Sequence, residues 1–232
     1  MQDGLTISLV IPTHNEEVGL RAVLDTLPGV VDELVVVDWQ SQDGTLELAR
    51  RAGATVIVEP RRGYGRAYLT GVPQAQGDIV VTMDADGTYP TQGIPRLVRA
   101  LLDRDLAFIS GSRFPLQDPL SMARTNKLGN RLLTRAANRM FGLQLQDLLS
   151  GMWVFRRGVW EELGPESPSW NLSQEIKLRA ALALGERFAE LPIPYASRLG
   201  DSKLSALPVG VQNLVHLLEL RRELVSPLAS GG

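Results

Sequence analysis

The stretch Ile79-Val80-Val81-Thr82-Met83-Asp84-Ala85-Asp86-Gly87-Thr88-Tyr89-Pro90 limits most sharply what this chain can fold into. A run of apolar, mostly β-branched residues ends in two carboxylates one residue apart, and glycine, threonine, tyrosine and proline follow as a turn. Such a run reads as a strand buried on both faces, the pattern of a parallel sheet. In open α/β sheets, ligands bind at the carboxyl ends of the strands. Asp84 and Asp86 are therefore expected at the working edge, as hard oxygen donors for Mg²⁺ or Mn²⁺. Such an ion keeps several waters and takes further ligands from substrate phosphates. Taken alone, the motif also reads as a strand ending in a solvated acidic turn.

The flanking chain repeats a strand–helix rhythm. Residues 5–11 read as a first strand closed by Pro12, and 17–26 as a helix with Asn15 at its N-cap. Strands over 33–37 (ending at Asp38) and 55–59 bracket a helix over 45–51 that Gly53 stops. This β-α-β-α-β order predicts a parallel, doubly wound sheet with right-handed crossovers. Arg61-Arg62-Gly63-Tyr64-Gly65-Arg66 leads into a helix reaching about residue 76, which Pro73 should kink or end early. The Gly63–Arg66 segment reads equally as a tight turn or a phosphate loop, with Arg66 able to reach an anion. A helix over 94–103 carries Pro95 in its first turn, and 106–109 is a further strand before Ser110-Gly111-Ser112-Arg113. Beyond it the pattern loosens: a cationic helix over 122–141, a short strand within 147–155, an amphipathic helix over 173–184, a strand over 188–193 and a polar loop over 198–204. Residues 209–225 form another amphipathic helix and 226–232 look frayed. One domain is expected over 1–205, its nucleotide half 1–110 and its acceptor half 111–205, with a helix and tail over 206–232.

Composition narrows the chemistry. Lys and Arg number 24 against 26 Asp and Glu, so the formal charge is −2 and no global basic field calls for nucleic acid. The absence of cysteine excludes disulfides, a thiolate nucleophile and a cysteine zinc site; with only His14 and His216, a histidine-based metal site is not expected. Met1-Gln2-Asp3-Gly4 lacks the basic and apolar regions of a signal peptide, and no apolar run reaches the ~18 residues of a membrane span. A cytoplasmic protein is expected, touching a membrane at most by its surface, at the inner face.

Pro12-Thr13-His14-Asn15-Glu16, Asp38 with Ser41-Gln42-Asp43-Gly44-Thr45, Asp84–Pro90, Gly111-Ser112-Arg113, Asp147 with Ser150-Gly151, and Gly200-Asp201-Ser202-Lys203-Leu204 occur in that order. Together they resemble the inverting family 2 glycosyltransferases of the GT-A fold, above all those acting on dolichyl or polyprenyl phosphate with mannose or glucose. The likeness spans about residues 5–204. It implies that Pro12, Thr13, Glu16 and Asp38 line the base and ribose of a nucleotide sugar (GDP- or UDP-hexose), and that Asp84 and Asp86 hold the metal beside its diphosphate. Arg66 joins that set as a possible anion contact from the segment above.

The acceptor decides which further groups are needed. A sugar hydroxyl requires a general base, whereas a lipid monophosphate, with a second pKa of about 6, is already largely a dianion and needs only cations to bind and aim it. Arg113, Arg124, Lys127, Arg131, Arg198 and Lys203 supply them, Arg113 and Lys203 from within family motifs. Glu175 matches a family glutamate and reads either as a base or as the partner of an arginine. Departures from the family pattern are Trp39 for a usual Asp, Thr88 where mannosyltransferases often carry Gln, Trp153 for an Arg and Asn171 for a Glu. The 209–225 helix reads as docked on the domain or as lying on a membrane with Arg221 and Arg222 at the headgroups. A soluble acceptor is the second reading. A sugar nucleotidyltransferase is a third, weakened by the lack of a Gly-rich loop after the first strand, and a non-catalytic nucleotide-binding module is a fourth.

Overall fold

Along Leu9-Val10-Ile11, alternate side chains enter opposite cores, Leu9 and Ile11 on one face and Val10 on the other. A strand of this kind must be covered on both sides. The computed structural model, which describes residues 2–200 and 206–225, places it near the centre of one seven-stranded sheet. The strands are β1 (Ile7–Thr13), β2 (Glu33–Asp38), β3 (Thr55–Val58), β4 (Ile79–Thr82), β5 (Phe108–Ser112), β6 (Trp153–Arg156) and β7 (Phe188–Pro192). Their spatial order is β3-β2-β1-β4-β6-β5-β7. Helices α1 (Glu17–Asp25) and α4 (Ile94–Asp103) cover one face, through Leu20 and Val98 among others. The other face carries α3 (Tyr64–Gly71), α6 (Gly158–Leu163) and α7 (Leu172–Leu184), with Tyr68, Trp160 and Ile176 inward. Helix α2 (Thr45–Arg51) follows β2 and places Ala49 in the first core.

The first four strands pair in parallel, as the β-α-β rhythm requires. β6 does not: it runs antiparallel to both β4 and β5, while β5 and β7 are parallel. An antiparallel strand starts at the edge where its neighbours finish. Trp153, the first residue of β6, therefore stands opposite Thr82 and Ser110. The whole segment 113–152 leaves and rejoins the sheet at its working edge. That segment contains α5 (Arg124–Phe141), whose inner residues Leu133, Ala137 and Phe141 pack with Leu178 of α7. Leu217 and Leu220 of α8 (Ala206–Val225) complete this third apolar cluster. The 209–225 segment is thus packed along one side against α5 and α7. Among the described residues, no helix is long and apolar enough to cross a membrane.

Several local expectations change. Asn15 is not an N-cap: Glu16 occupies that position without a side-chain cap. Asn15 has φ 50°, and its Oδ1 accepts the Gln42 N–H, tying the β1 and β2 loops together instead. The helix after residue 63 ends at Gly71, and Pro73 lies in the short 3₁₀ turn that follows. The strand expected over 106–109 begins at Phe108 and runs to Ser112 because β7 and β6 both pair with it there. The amphipathic reading of α7 also fails, since Gln174, Glu175 and Lys177 are as buried as Ile176. α6 is absent from the sequence reading, too short to show a period.

Helix α1 approaches the acidic turn closely. A Cβ at Gly19 would stand 2.3 Å from the Ala85 carbonyl oxygen and 2.9 Å from the Asp86 Cα. Gly19→Ala therefore forces the helix and turn apart, although alanine is the better helix former by about 1 kcal/mol. The expected outcome is a net loss of about 1–3 kcal/mol, read from urea unfolding; an unchanged or raised midpoint would show that the contact is slack.

Candidate active site

Beyond Thr82 the chain of β4 leaves the sheet, and Gly87 at φ 76° turns it back. Asp86 is 4% exposed and its carboxylate is held from both ends. Oδ1 accepts the Thr88 N–H at 3.0 Å and the Thr88 hydroxyl at 2.7 Å. Oδ2 accepts from Arg198 at 2.8 Å, and the same guanidinium donates to Glu16 at 2.7 Å. The Asp84 carboxylate receives the Tyr64 hydroxyl at 3.0 Å. Burial, and then the negative charge of Asp86, push the Asp84 carboxyl well above the ordinary carboxylate range. Tyr64 in turn stacks on Trp170, with ring centroids 4.5 Å apart and planes at 16°.

These groups border a cleft of about 610 Å³ at the carboxyl edge of β1, β2 and β4, within the size range of small-molecule sites. Of the predicted residues, Pro12, Thr13, Glu16, Arg66, Asp84, Asp86 and Arg198 all line it. Trp39 lines it too, 4.2 Å from the His14 ring and with the Arg62 guanidinium 5.1 Å from its own ring.

Other predicted residues lie elsewhere. Asp38 is fully buried, outside the lining; it accepts from the Thr13 hydroxyl at 2.8 Å and from the Ser41 N–H at 2.8 Å. It shapes the wall that Thr13 and Trp39 present. Arg113, also outside the lining, forms a buried two-pronged pair with Asp147, Nε at 2.7 Å and Nη2 at 2.8 Å. Burial works against the charge of Arg113 and Asp147 outweighs it, so the guanidinium stays firmly protonated. Asn130 on α5 donates to the same carboxylate at 2.7 Å. Lys177 donates to the Asp147 carbonyl, and burial lowers its ammonium to about 8. Arg113 also lies 5.3 Å from the Tyr195 ring, and its charge is felt at Asp84.

Glu175 is 1% exposed and faces away from the cleft. It accepts the N–H groups of Glu166 and Ser167 at 3.0 and 2.8 Å and pairs with Arg179 at 2.9 Å. The arginine-partner reading describes this geometry: Glu175 braces the loop whose Pro168, Ser169 and Trp170 form one wall of the cleft. Arg124 and Lys127 are on α5, outside the lining, and Lys127 donates to the Pro119 carbonyl. Lys203 lies outside the described residues. Trp153 is a core residue, wholly buried, its indole N–H given to the Ser150 carbonyl at 2.9 Å. Tyr64, Pro168, Ser169 and Trp170 are lining residues that sequence reasoning missed, Trp170 the largest of them. The only signal of Trp170 is an aromatic residue just before a helix start.

The donor set can be weighed for a divalent ion. Among the described residues no cluster of three or more His, Cys, Asp or Glu side chains is found. A closed all-protein cage is therefore not the design here. Two neighbouring carboxylates that are hard to ionise together, opening on a roomy cleft, suit a hard cation completed by water and phosphate oxygens. The residues fit Mg²⁺ or Mn²⁺ in that sense.

Comparison with known proteins agrees. The profile of glycosyl transferase family 2 matches residues 8–164. A dolichyl-phosphate hexose transferase of Haloferax volcanii is 34% identical over 207 residues, 88% of this chain and 89% of that protein. The low-salt glycan biosynthesis hexosyltransferase Agl6 of the same organism is 33% identical over 92% of this chain, which spans about half (53%) of its length. An undecaprenyl-phosphate mannosyltransferase of Micrococcus luteus is 31% identical over 89% of this chain and 90% of its own. Among solved structures, glucosyl-3-phosphoglycerate synthase of Mycobacterium tuberculosis, in complex with Mn²⁺, uridine diphosphate and glucosyl-3-phosphoglycerate, superposes with a TM-score of 0.75. It is 28% identical over 94% of this chain and 80% of that one. By sequence, sheet order and cleft alike, the chain belongs to glycosyl transferase family 2 and is a glycosyltransferase with the GT-A fold.

Proposed function

We propose that the protein transfers a hexose from a nucleotide diphosphate sugar to a polyprenyl or dolichyl phosphate, with inversion and with Mg²⁺ or Mn²⁺ as cofactor. The observation that carries this reading is the Asp84–Asp86 pair lining the cleft, Asp86 buried and Asp84 half-buried, with Arg198, also a lining residue, bonded to Asp86. Pro12, Thr13 and Glu16 supply the nucleotide wall, and Trp39 offers an aromatic face beside them. Asp38 acts one layer back, by fixing Thr13 and the 39–41 turn. Asp84 and Asp86 hold the metal, which when bound neutralises charge on the departing diphosphate. Arg66 and Arg198 are cationic contacts for phosphate oxygens. Arg198 borders the cleft beside the two carboxylates that its terminal nitrogens bond.

On the acceptor side, Arg113 is held rigid by Asp147, and Arg124 and Lys127 lie at the start of α5, whose Asn130 joins the same network. A lipid monophosphate brings its own negative oxygen as nucleophile. No base is required, in keeping with Glu175 being spent on its loop and Arg179. The names of the dolichyl- and undecaprenyl-phosphate relatives support this acceptor. The glucosyl-3-phosphoglycerate synthase likeness favours a second reading, a soluble phosphorylated acceptor served by the same cations. Peripheral contact with the cytoplasmic face of a membrane belongs to the first reading. The domain division also belongs here: residues 1–110 bind the donor and 111–205 the acceptor, with 206–232 as a supporting helix and tail.

Two measurements test this. Asp86→Ala should lower transfer at least about a hundredfold while the far-ultraviolet spectrum and thermal transition persist, and chelation of wild type should do the same, reversed by Mn²⁺. Full turnover without divalent ion would reject the metal. Purified protein offered a labelled nucleotide sugar with short-chain polyprenyl phosphate and phosphoglycerate together should place label in the organic phase. Label confined to the aqueous phase would select the soluble acceptor.

A further inference from the structure

Helix α5 turns one stripe fully outward. Leu128 and Leu132 are 59% and 55% exposed, and Arg124, Arg131, Arg135 and Arg139 are exposed along the same side. Positions 124, 128, 131, 132, 135 and 139 fall on one helical face. Asn130, Leu133 and Ala137 point the other way into the protein. The stripe runs the length of an 18-residue helix, about 27 Å. Leu120, in the loop just before it, is 88% exposed. Residues 119–146 contain no Asp or Glu, so the positive charge of this helix is uncompensated by its own segment in a chain whose formal charge is −2.

Long aliphatic side chains alternating with arginines on one exposed face match the boundary between headgroups and acyl chains, where arginine stems lie along apolar surface and their heads reach phosphate. Helix α8 also exposes aliphatic residues, Val211, Leu214, Val215 and Leu218. Its exposed charges are of both signs, Glu219 and Glu223 with Arg221 and Arg222, so it lacks the matching field. Nucleic acid is the poorer partner for α5, since no aromatic side chain is exposed on the stripe to stack a base and two leucines occupy its middle. The buried side of α5 reaches the charge network outside the cleft lining, where Asn130 meets Asp147 and Asp147 holds Arg113.

Resting on the lipid-acceptor reading above, we infer that the outer face of α5, with Leu120, is the surface by which the protein seats on an anionic bilayer. Anionic lipids attract each nearby cation and salt screens the attraction. Cosedimentation with phosphatidylcholine vesicles, with and without phosphatidylglycerol, tests it. Wild type should bind only the anionic vesicles, less as salt rises. Leu128→Glu with Leu132→Glu, and separately Arg135→Glu with Arg139→Glu, should each weaken partitioning about tenfold or more. The arginine pair keeps the test open should the leucine pair fail to fold. Both variants should transfer sugar to a short, water-soluble polyprenyl phosphate as wild type does. Wild type that ignores anionic vesicles, variants that bind like wild type, or binding to duplex DNA in preference to vesicles would overturn the assignment. Vesicle binding lost in the variants, with no transfer by wild type to the short acceptor, would keep this surface and reject the acceptor instead.

Discussion

Two carboxylates one residue apart, one buried and the other half-buried at the cleft wall, repel each other. Most of the surrounding structure reads as an answer to that repulsion. Thr88 gives Asp86 two donors, Arg198 gives it a positive charge, and Tyr64 gives Asp84 a hydroxyl. None of these neutralises the pair, because Asp84 remains hard to ionise beside Asp86. The turn is therefore electrostatically short of positive charge, and the cleft in front of it is where a cation would make up the difference. Sequence neighbours alone do not produce this arrangement. α1 must come close enough to touch Ala85, which only a glycine at position 19 permits.

A second buried charge system gathers around Asp147. Asp147 receives Arg113 and Asn130 on its carboxylate, its carbonyl receives Lys177, and Glu190 accepts its N–H at 3.1 Å. Buried ion pairs of this kind contribute little net stability, and loss of one partner leaves an uncompensated charge. Their structural effect here is to give Arg113 a single orientation, since Asp147 takes both its Nε and one terminal nitrogen. The cost of desolvating the group is met by the fold before any substrate arrives, so less ordering remains to be done on binding.

Much of this was legible in residue order, where the deciding physics is local. The parallel half of the sheet follows from β-branched runs at regular spacing, and Pro73 ends its helix where ring sterics require. Asp84 and Asp86 stand at a strand end because Ile79–Thr82 can only be a buried strand. What was not legible depends on partners distant in the chain. Asp38 and Glu175 look like ligands as isolated acids, yet the Thr13 and Ser41 hydroxyls claim one and Arg179 the other. Trp170 enters the cleft only because Glu175 holds its loop and Tyr64, about a hundred residues earlier in the chain, stacks on it. The reversed direction of β6 is likewise a matter of which neighbours it finds, not of its four residues.

That reversal has a bearing on how such an enzyme diverges. Because β6 lies between β4 and β5 and starts where they stop, the forty residues from 113 to 152 form an insert anchored at two adjacent points of one rim. Its length can change without disturbing the register of β4, β5 and β6. The contacts of Asp147, the packing of α5 on Leu178 of α7 and the bond from the Gly151 N–H to the Tyr89 hydroxyl stitch the insert to the floor beneath. Change confined to the insert would remodel the chain beside that rim without breaking a single rung of the ladder.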